Sequence, residues 1–278
     1  MAKLRQFYAT EPTRNSLNGT SLQFLERLKS PLPRSSSPNR KPTRRAKAIF
    51  FDLGETLVTQ NIESNMVTRG ALREIGSTLP KRVSPEKLFR IYKEGYKVNE
   101  ALRSNHHVEI PIQVWMRQLL TRAIDEEPTP RLLSNAIKVI VSARSDNAKA
   151  FDDAHKVISD LSKRHVKLGI ISNVSSHEVA LGILKKVKLT KYFQPVITSA
   201  LTGLRKPDPG IFNYALMQLK IDPGDAVHVG DSEKHDIEGG SVAGLWTVLI
   251  SRRHEPEKTI ADYHFRTLTE ASETLRTL

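Results

Sequence analysis

Ala46-Lys-Ala-Ile-Phe-Phe-Asp52-Leu-Gly-Glu-Thr-Leu57 decides how the rest of this chain is read. Four apolar residues, Ala48 to Phe51, run without a polar break into an aspartate. A run this short and this continuous fits a strand buried on both faces, the kind found in a parallel sheet covered by helices. Val166-Lys-Leu-Gly-Ile-Ile171 is the next comparable segment, and it ends in Ser172-Asn173. Between the two lie about a hundred residues whose apolar positions recur at helical spacing, with helices expected over 63–78, 85–104, 110–124, 130–143 and 150–164. Pro80, Pro85, Pro111, Pro128 and Pro130 mark the breaks between them.

After residue 171 the chain alternates. A helix is expected at 176–187, an extended segment at 195–198, a helix at 209–219 and a strand at 226–229. A short helix at 234–243, a strand at 246–250, a strand near 263–265 and a terminal helix at 269–277 follow. Strands alternating with helices of this length predict an α/β fold, a Rossmann-like parallel sheet core. The helical block then sits as an insertion after the first strand. The expected division is a core of 46–59 and 146–278 and an inserted helical cap of 60–145.

The 278 residues carry a net charge of +13, with 38% hydrophobic and 26% charged residues. The charge is uneven: residues 1–45 hold ten Lys/Arg against Glu11 and Glu26. Residues 30–45 are dominated by Ser, Pro, Lys and Arg, a composition that cannot bury enough apolar surface to order itself. Residues 1–45 therefore read as a basic, disordered leader, with a short amphipathic helix or a transient turn at 20–29. Three roles fit it: contact with nucleic acid or an anionic surface, organellar targeting, or an inert extension. The basic excess belongs to the leader and says little about the rest. Cysteine is absent, which excludes disulfides, cysteine-ligated zinc and cysteine nucleophiles. No apolar run approaches the ~18 residues of a membrane-spanning helix, and no secretory signal is evident. A cytoplasmic location is expected; the oligomeric state is open.

In open parallel sheets, ligands bind at the carboxyl ends of the strands. There the sequence puts Asp52 and Thr56 after the first strand, Ser172 and Asn173 after the second, and Asp231 after Val229-Gly230, with Asp236 five residues on. Lys206 lies in the loop Gly203-Leu-Arg-Lys-Pro-Asp-Pro-Gly210. Carboxylates, a hydroxyl, an amide and an ammonium suit phosphoryl chemistry. Carboxylate oxygens hold a hard divalent cation such as Mg²⁺, a lysine and a hydroxyl cradle the phosphoryl oxygens, and an aspartate can attack phosphorus.

Four segments in order resemble the motifs of the haloacid dehalogenase (HAD) superfamily, in its phosphatase-like branch with a helical cap. They are Phe51-Asp-Leu-Gly-Glu-Thr-Leu57, Ile170-Ile-Ser-Asn173, Lys206-Pro-Asp-Pro-Gly-Ile-Phe212 and Val229-Gly-Asp-Ser-Glu-Lys-His-Asp-Ile237. The resemblance covers about 46–270. It implies that Asp52 is nucleophile and metal ligand, that Ser172 and Lys206 hold the phosphoryl oxygens, and that Asp231 is the second metal carboxylate. It implies further that the carbonyl of Gly54 is a ligand, that Asp236 orients metal-bound water, and that Thr56 and Asn173 position the loop and the transferring group. The substrate implied is a small phosphorylated metabolite.

One position departs from that pattern. The family's phosphatases carry a second Asp two residues after the nucleophile, as general acid. Here that residue is Gly54, and Glu55 stands where Gly is usual. Four readings remain open. Glu55, His106, His107 or Glu109 replaces the acid; or the leaving group needs no protonation; or the protein is a 2-haloacid dehalogenase-like hydrolase; or it is a non-catalytic module that binds a phospho-ligand or a protein. Because displacement at carbon needs no cation, Asp231 favours phosphorus chemistry. His106-His107 and the histidines at 177 and 235 read as polar surface residues, and Trp115 and Met116 as packing.

Overall fold

The computed structural model describes residues 45–253, 256 and 258–278. The expected features of the leader, including a helix at 20–29, lie outside the described residues. β1 (Ala48–Phe51) forms the middle of a six-stranded sheet. The other strands are β4 (Lys167–Ser172), β5 (Val196–Thr198), β6 (Ala226–Gly230), β7 (Trp246–Ile250) and β8 (Tyr263–Phe265), in the order β5-β4-β1-β6-β7-β8. Every pairing is parallel. All four residues of β1 are buried, which explains their unbroken apolar run. Ile49 and Phe51 face one core layer, and Ala48 and Phe50 face the other.

The chain leaves β1 to build β4 and β5 on one side, then crosses to β6, β7 and β8 on the other. β1 thus lies at the point where strand order reverses, where a crevice opens at the carboxyl ends. The flanking helices are α5 (Ala154–Ser162), α6 (His177–Lys186), α7 (Ser199–Thr202), α8 (Pro209–Leu219), α9 (Gly239–Val242) and α10 (Leu268–Thr277).

Between β1 and β4 the chain builds α1 (Ser64–Ser77), α2 (Pro85–His106), α3 (Ile112–Ile124) and α4 (Pro130–Asp146). These helices share their own apolar cluster around Leu72, Ile75, Leu88, Met116, Leu120 and Ile140. α2 and α4 both begin with Pro at the first turn behind a Ser or Thr cap: Ser84 accepts from the Lys87 N–H, and Thr129 from the Leu132 N–H.

The structure differs from the sequence reading in three places. Residues 58–60 and 148–150 are short strands, β2 (Val58–Gln60) and β3 (Ala148–Ala150), paired antiparallel. The chain's exit to the four helices and its return therefore run side by side. The helix expected from 150 starts only at Ala154, because the Phe151 N–H bonds to the Leu57 carbonyl and Asp153 receives Arg252 and the Leu268 N–H. The single helix expected over 234–243 is a π-helical turn, Glu233–Glu238, running into α9.

α4 packs closely on α6. A methyl group at Gly182 of α6 would stand 2.3 Å from the Ser145 Oγ and 2.8 Å from its Cβ. No rotamer of a serine removes its Cβ from that contact. Gly182→Ala is expected to destabilise the chain by about 1–3 kcal/mol, read as a lower melting temperature. An unchanged melt would mean that α4 can shift without cost.

Candidate active site

Asp52 follows β1 directly. Its backbone N–H bonds to the Val229 carbonyl at 2.8 Å, which continues the β1–β6 ladder and fixes where the side chain leaves the sheet. Lys206 reaches the same place from a loop anchored by Asn173. The Asn173 amide donates to the Lys206 carbonyl (2.9 Å) and accepts from the Lys206 N–H (2.8 Å), so its side chain is committed to the lysine's main chain.

The Lys206 ammonium, on a residue only 3% exposed, lies 2.6 Å from Asp52 Oδ1, 2.6 Å from Asp236 Oδ1 and 2.8 Å from the Ile171 carbonyl. Three acceptors use its three protons. Asp236 sits in the π-helical turn, a local distortion often found at functional sites. Its Oδ2 accepts from the Ser232 N–H (3.1 Å), and its Oδ1 also meets His228 Nε2 (2.8 Å). A Cβ on Gly230 would fall 2.2 Å from the Asp236 Cγ, so glycine is required for this carboxylate to fold back over β6.

Asp231, partly exposed, completes the group. Asp52, Asp231 and Asp236 each offer an oxygen within 4.8 Å of the others. Burial raises Asp52 to about 6, and the nearby Asp236 adds to this against the opposing Lys206. Burial, with Asp52 and Asp236, raises Asp231 to about 7. For Asp236 burial acts in the same upward sense, but the Lys206 ammonium and His228 outweigh it and hold the group below the usual carboxylate range. Two carboxylates share one ammonium, and the one with the larger set of donors keeps its charge more easily. Burial would lower Lys206, yet Asp236 and Asp52 override it and raise it. An all-oxygen donor set with two carboxylates strained upward suits a hard divalent cation, Mg²⁺ above softer metals.

The Ser172 side chain, at the end of β4, is buried and makes no hydrogen bond to a described residue. The Thr56 Oγ1 is fully buried without a partner, an orphaned hydroxyl of the sort a ligand oxygen satisfies. Gly54 is exposed, and a Cβ there would meet nothing within 4 Å. Glu55 occupies the left-handed region at φ 55°, and its carboxylate goes to Arg253 (2.8 Å) and the Thr59 hydroxyl (3.3 Å). Neither partner belongs to the carboxylate cluster.

Glu109, named above as a candidate acid, is a buried carboxylate that accepts from Arg103, Arg205, Ser199 and the Ile110 N–H. His107 caps α2 at φ 51°. His177 is partly buried, with its Nδ1 3.0 Å from the Thr198 Oγ1. The sequence reading did not single out His228. A histidine between two valines in a wholly buried strand was its signal: it bonds Asp236, stacks edge-on against Phe212, and leaves its Nδ1 unpartnered.

The family model for haloacid dehalogenase-like hydrolases matches residues 46–244, and the chain belongs to that family. It is a hydrolase with a Rossmann-like core. A glyceraldehyde 3-phosphate phosphatase of Methanopyrus kandleri is 30% identical over 207 residues, covering 74% of this chain and 84% of the relative. A ribulose-1,5-bisphosphate 5-phosphatase of Halopiger xanaduensis is 31% identical over 137 residues, 49% of this chain and 57% of the relative. Among solved structures, a 2-haloacid dehalogenase from Pseudomonas syringae superposes with a TM-score of 0.64 at 23% identity, over 84% of this chain and 99% of that one. A HAD phosphatase from Thermococcus onnurineus gives 0.59 at 24%, over 82% and 97%. The last two likenesses concern the fold. Among the described residues no helix is long and apolar enough to cross a membrane.

The raised carboxylates set a pH dependence. Asp52 and Asp231 have a reference value of 3.8 and stand near 6 and 7 in the folded chain. Between about pH 4 and 7 the folded state holds protons that the unfolded chain has released. Stability therefore falls as the pH rises through that window. In a chelator, the melting temperature is expected to drop from pH 5 to pH 8, and Asp231→Asn to flatten that slope. Equal slopes in the two proteins would show that the carboxylates do not repel as described.

Proposed function

We propose that this chain is a Mg²⁺-dependent phosphatase of small phosphorylated metabolites, working through an aspartyl-phosphate on Asp52. The observation that carries this reading is the buried Lys206 ammonium, held between Asp52 and Asp236 with Asp231 alongside. An ammonium beside the attacking carboxylate is what an anionic phosphoryl group needs to approach it. The curated relatives named as phosphatases of glyceraldehyde 3-phosphate and ribulose 1,5-bisphosphate support the same substrate class.

Asp52 attacks phosphorus in line, an O–P bond forms, and the bond to the leaving oxygen breaks. Water then hydrolyses the acyl phosphate and restores the carboxylate. Lys206 and the Ser172 hydroxyl hold the phosphoryl oxygens, and Thr56 positions the loop and the transferring group. Asn173 keeps the Lys206 main chain in register, and Asp236 fixes the ammonium from its far side. Asp52, Asp231 and the Gly54 carbonyl would hold Mg²⁺, with Asp236 behind them. When bound, the cation screens the phosphoryl charge from the incoming carboxylate. Residues 60–145 act as a cap over the core of 46–59 and 146–278, moving on the β2/β3 pair and excluding water when closed.

The general acid is missing from position 54, and Glu55 is engaged with Arg253 and Thr59. Glu109 is engaged as well, so the leaving group departs with little help, or takes its proton from water or from His106 or His107. Phosphate release from a metabolite panel with Mg²⁺, wild type beside Asp52→Asn, tests the proposal. Turnover in wild type alone is expected. Chloride release from 2-haloacids without Mg²⁺ would replace it with the dehalogenase reading, and no turnover of any kind would leave a binding module.

Gly54 offers a second test. Its Cβ position is open and its φ is not left-handed. Gly54→Asp is expected to raise turnover of unactivated alkyl phosphates by about tenfold or more, within the ~10²–10⁴ that general acid assistance supplies, and to leave good leaving groups little changed. Equal effects on both substrate types would remove the missing acid from the argument.

A further inference from the structure

A cavity of about 270 Å³ lies among α2, α3 and α4, away from the carboxylate cluster. Tyr92, Asn99, Trp115, Arg144 and Ser175 line it, with Arg103 at one side. No acidic side chain is among its lining residues. Two of its three guanidiniums are already matched: Arg103 by Glu109, and Arg122 on the rim by Glu94. Arg144 has no carboxylate partner among the described residues. It is held over the Trp115 ring, 5.6 Å from the centroid. A cation at this range is drawn to the ring face while its N–H donors stay available.

Two further polar side chains face the cavity without a hydrogen-bond partner among the described residues. Asn99 is 5% exposed and Ser175 8% exposed, and neither side chain hydrogen-bonds to a described residue. Both line the cavity. Facing the cavity, they can hydrogen-bond to water or to a ligand there. A guanidinium, an amide and a hydroxyl around an acid-free space select an anion. Tyr92 and Trp115 add apolar wall for a short carbon chain. The volume falls just below the usual range of small-molecule sites, ~300–1,000 Å³, which suits a few-carbon group.

The cavity is tied to the proposed phosphoryl site through the chain and through one ion-pair relay. Ser175 is three residues beyond Ser172 on the same loop, and its carbonyl accepts from the Ile112 N–H at 2.7 Å, which ties the start of α3 to that loop. Arg103 reaches Arg205 through Glu109, and Lys206 follows Arg205.

We propose that this cavity binds a second anionic group, a carboxylate or a second phosphate, carried on the leaving portion of the phosphorylated substrate. The inference rests on the phosphatase reading and narrows its substrate class. Arg144 makes the charged contact, and Asn99 and Ser175 complete the hydrogen bonding. An uncharged leaving portion leaves all three unmatched.

The test is calorimetric binding to full-length Asp52→Asn protein with Mg²⁺, which separates recognition from turnover. Two matched pairs distinguish the anions: 3-phosphoglycerate against glycerol 3-phosphate for a carboxylate, and ribulose 1,5-bisphosphate against ribulose 5-phosphate for a phosphate. The doubly anionic member of at least one pair is expected to bind about tenfold tighter or more, as for a charge-assisted hydrogen bond. Arg144→Gln is expected to reduce that preference by a similar factor. Asn99→Asp, which puts a negative charge in the cavity, reduces it too and covers the case in which Arg144→Gln unfolds, as checked by melting. No preference in either pair, or a preference that survives both substitutions, overturns the inference. Hydrolysis of p-nitrophenyl phosphate by wild type with Mg²⁺ is followed in parallel. Hydrolysis without a preference sinks this inference alone. An Arg144-dependent preference without hydrolysis of any phosphate keeps the cavity as an anion site and sinks the catalytic reading.

Discussion

A buried ammonium is the constraint on which the site depends. Lys206 is almost wholly removed from water, and its charge is tolerable only because Asp52, Asp236 and the Ile171 carbonyl surround it. Taking one partner from a buried ion pair typically costs about 3–5 kcal/mol. The loop that bears the lysine therefore cannot drift from the strands that bear the acids, and Asn173 adds two hydrogen bonds against such drift. The unequal charging of the two carboxylates follows from the same arrangement. With one cation shared between two carboxylates, Asp236 also draws on His228 and the Ser232 N–H, so Asp52 is the carboxylate left short of donors.

The turn after β1 shows a backbone demand outlasting a change of side chain. Glu55 sits at φ 55°, a conformation that costs a non-glycine residue about 1–2 kcal/mol. Gly54, one position earlier, does not use its conformational freedom. The usual order of a carboxylate followed by glycine is thus replaced by glycine followed by a strained glutamate. The turn keeps its path because Glu55 N–H bonds to Val58 O, and Leu57 N–H and Val58 N–H both bond to Leu53 O. What changes is chemical: the acidic side chain goes to Arg253, and position 54 carries none.

Much of the fold was legible because β strands buried on both faces leave a coarse signal, as in Ala48–Phe51 and Lys167–Ser172. The carboxylates and the lysine were legible through their places at strand ends. Two kinds of feature were not. β2 and β3 are three residues each and half polar, so their pairing leaves no periodicity to read. Partners set by distant residues were equally hidden. Nothing near Glu109 in sequence announces Ser199 or Arg205, some ninety positions on. It stood as a candidate replacement acid, whereas the folded chain gives it four donors.

Those four donors have a mechanical consequence. Glu109 and Arg103 belong to the helical block, and Ser199 and Arg205 to the sheet side. The Ser199 hydroxyl lies 2.8 Å from the Val174 N–H and 3.1 Å from its carbonyl, next to the Ser172-Asn173 loop. Arg205 immediately precedes Lys206. Movement of the helical block away from the sheet must break this carboxylate's contacts or drag both loops with it. Uncovering Glu109 without its arginines would strand a buried charge. The seam thus ties the arrangement of the helices to the loops that carry Ser172 and Lys206. The position of the helical block and the position of the Lys206 loop are thus coupled through one buried carboxylate.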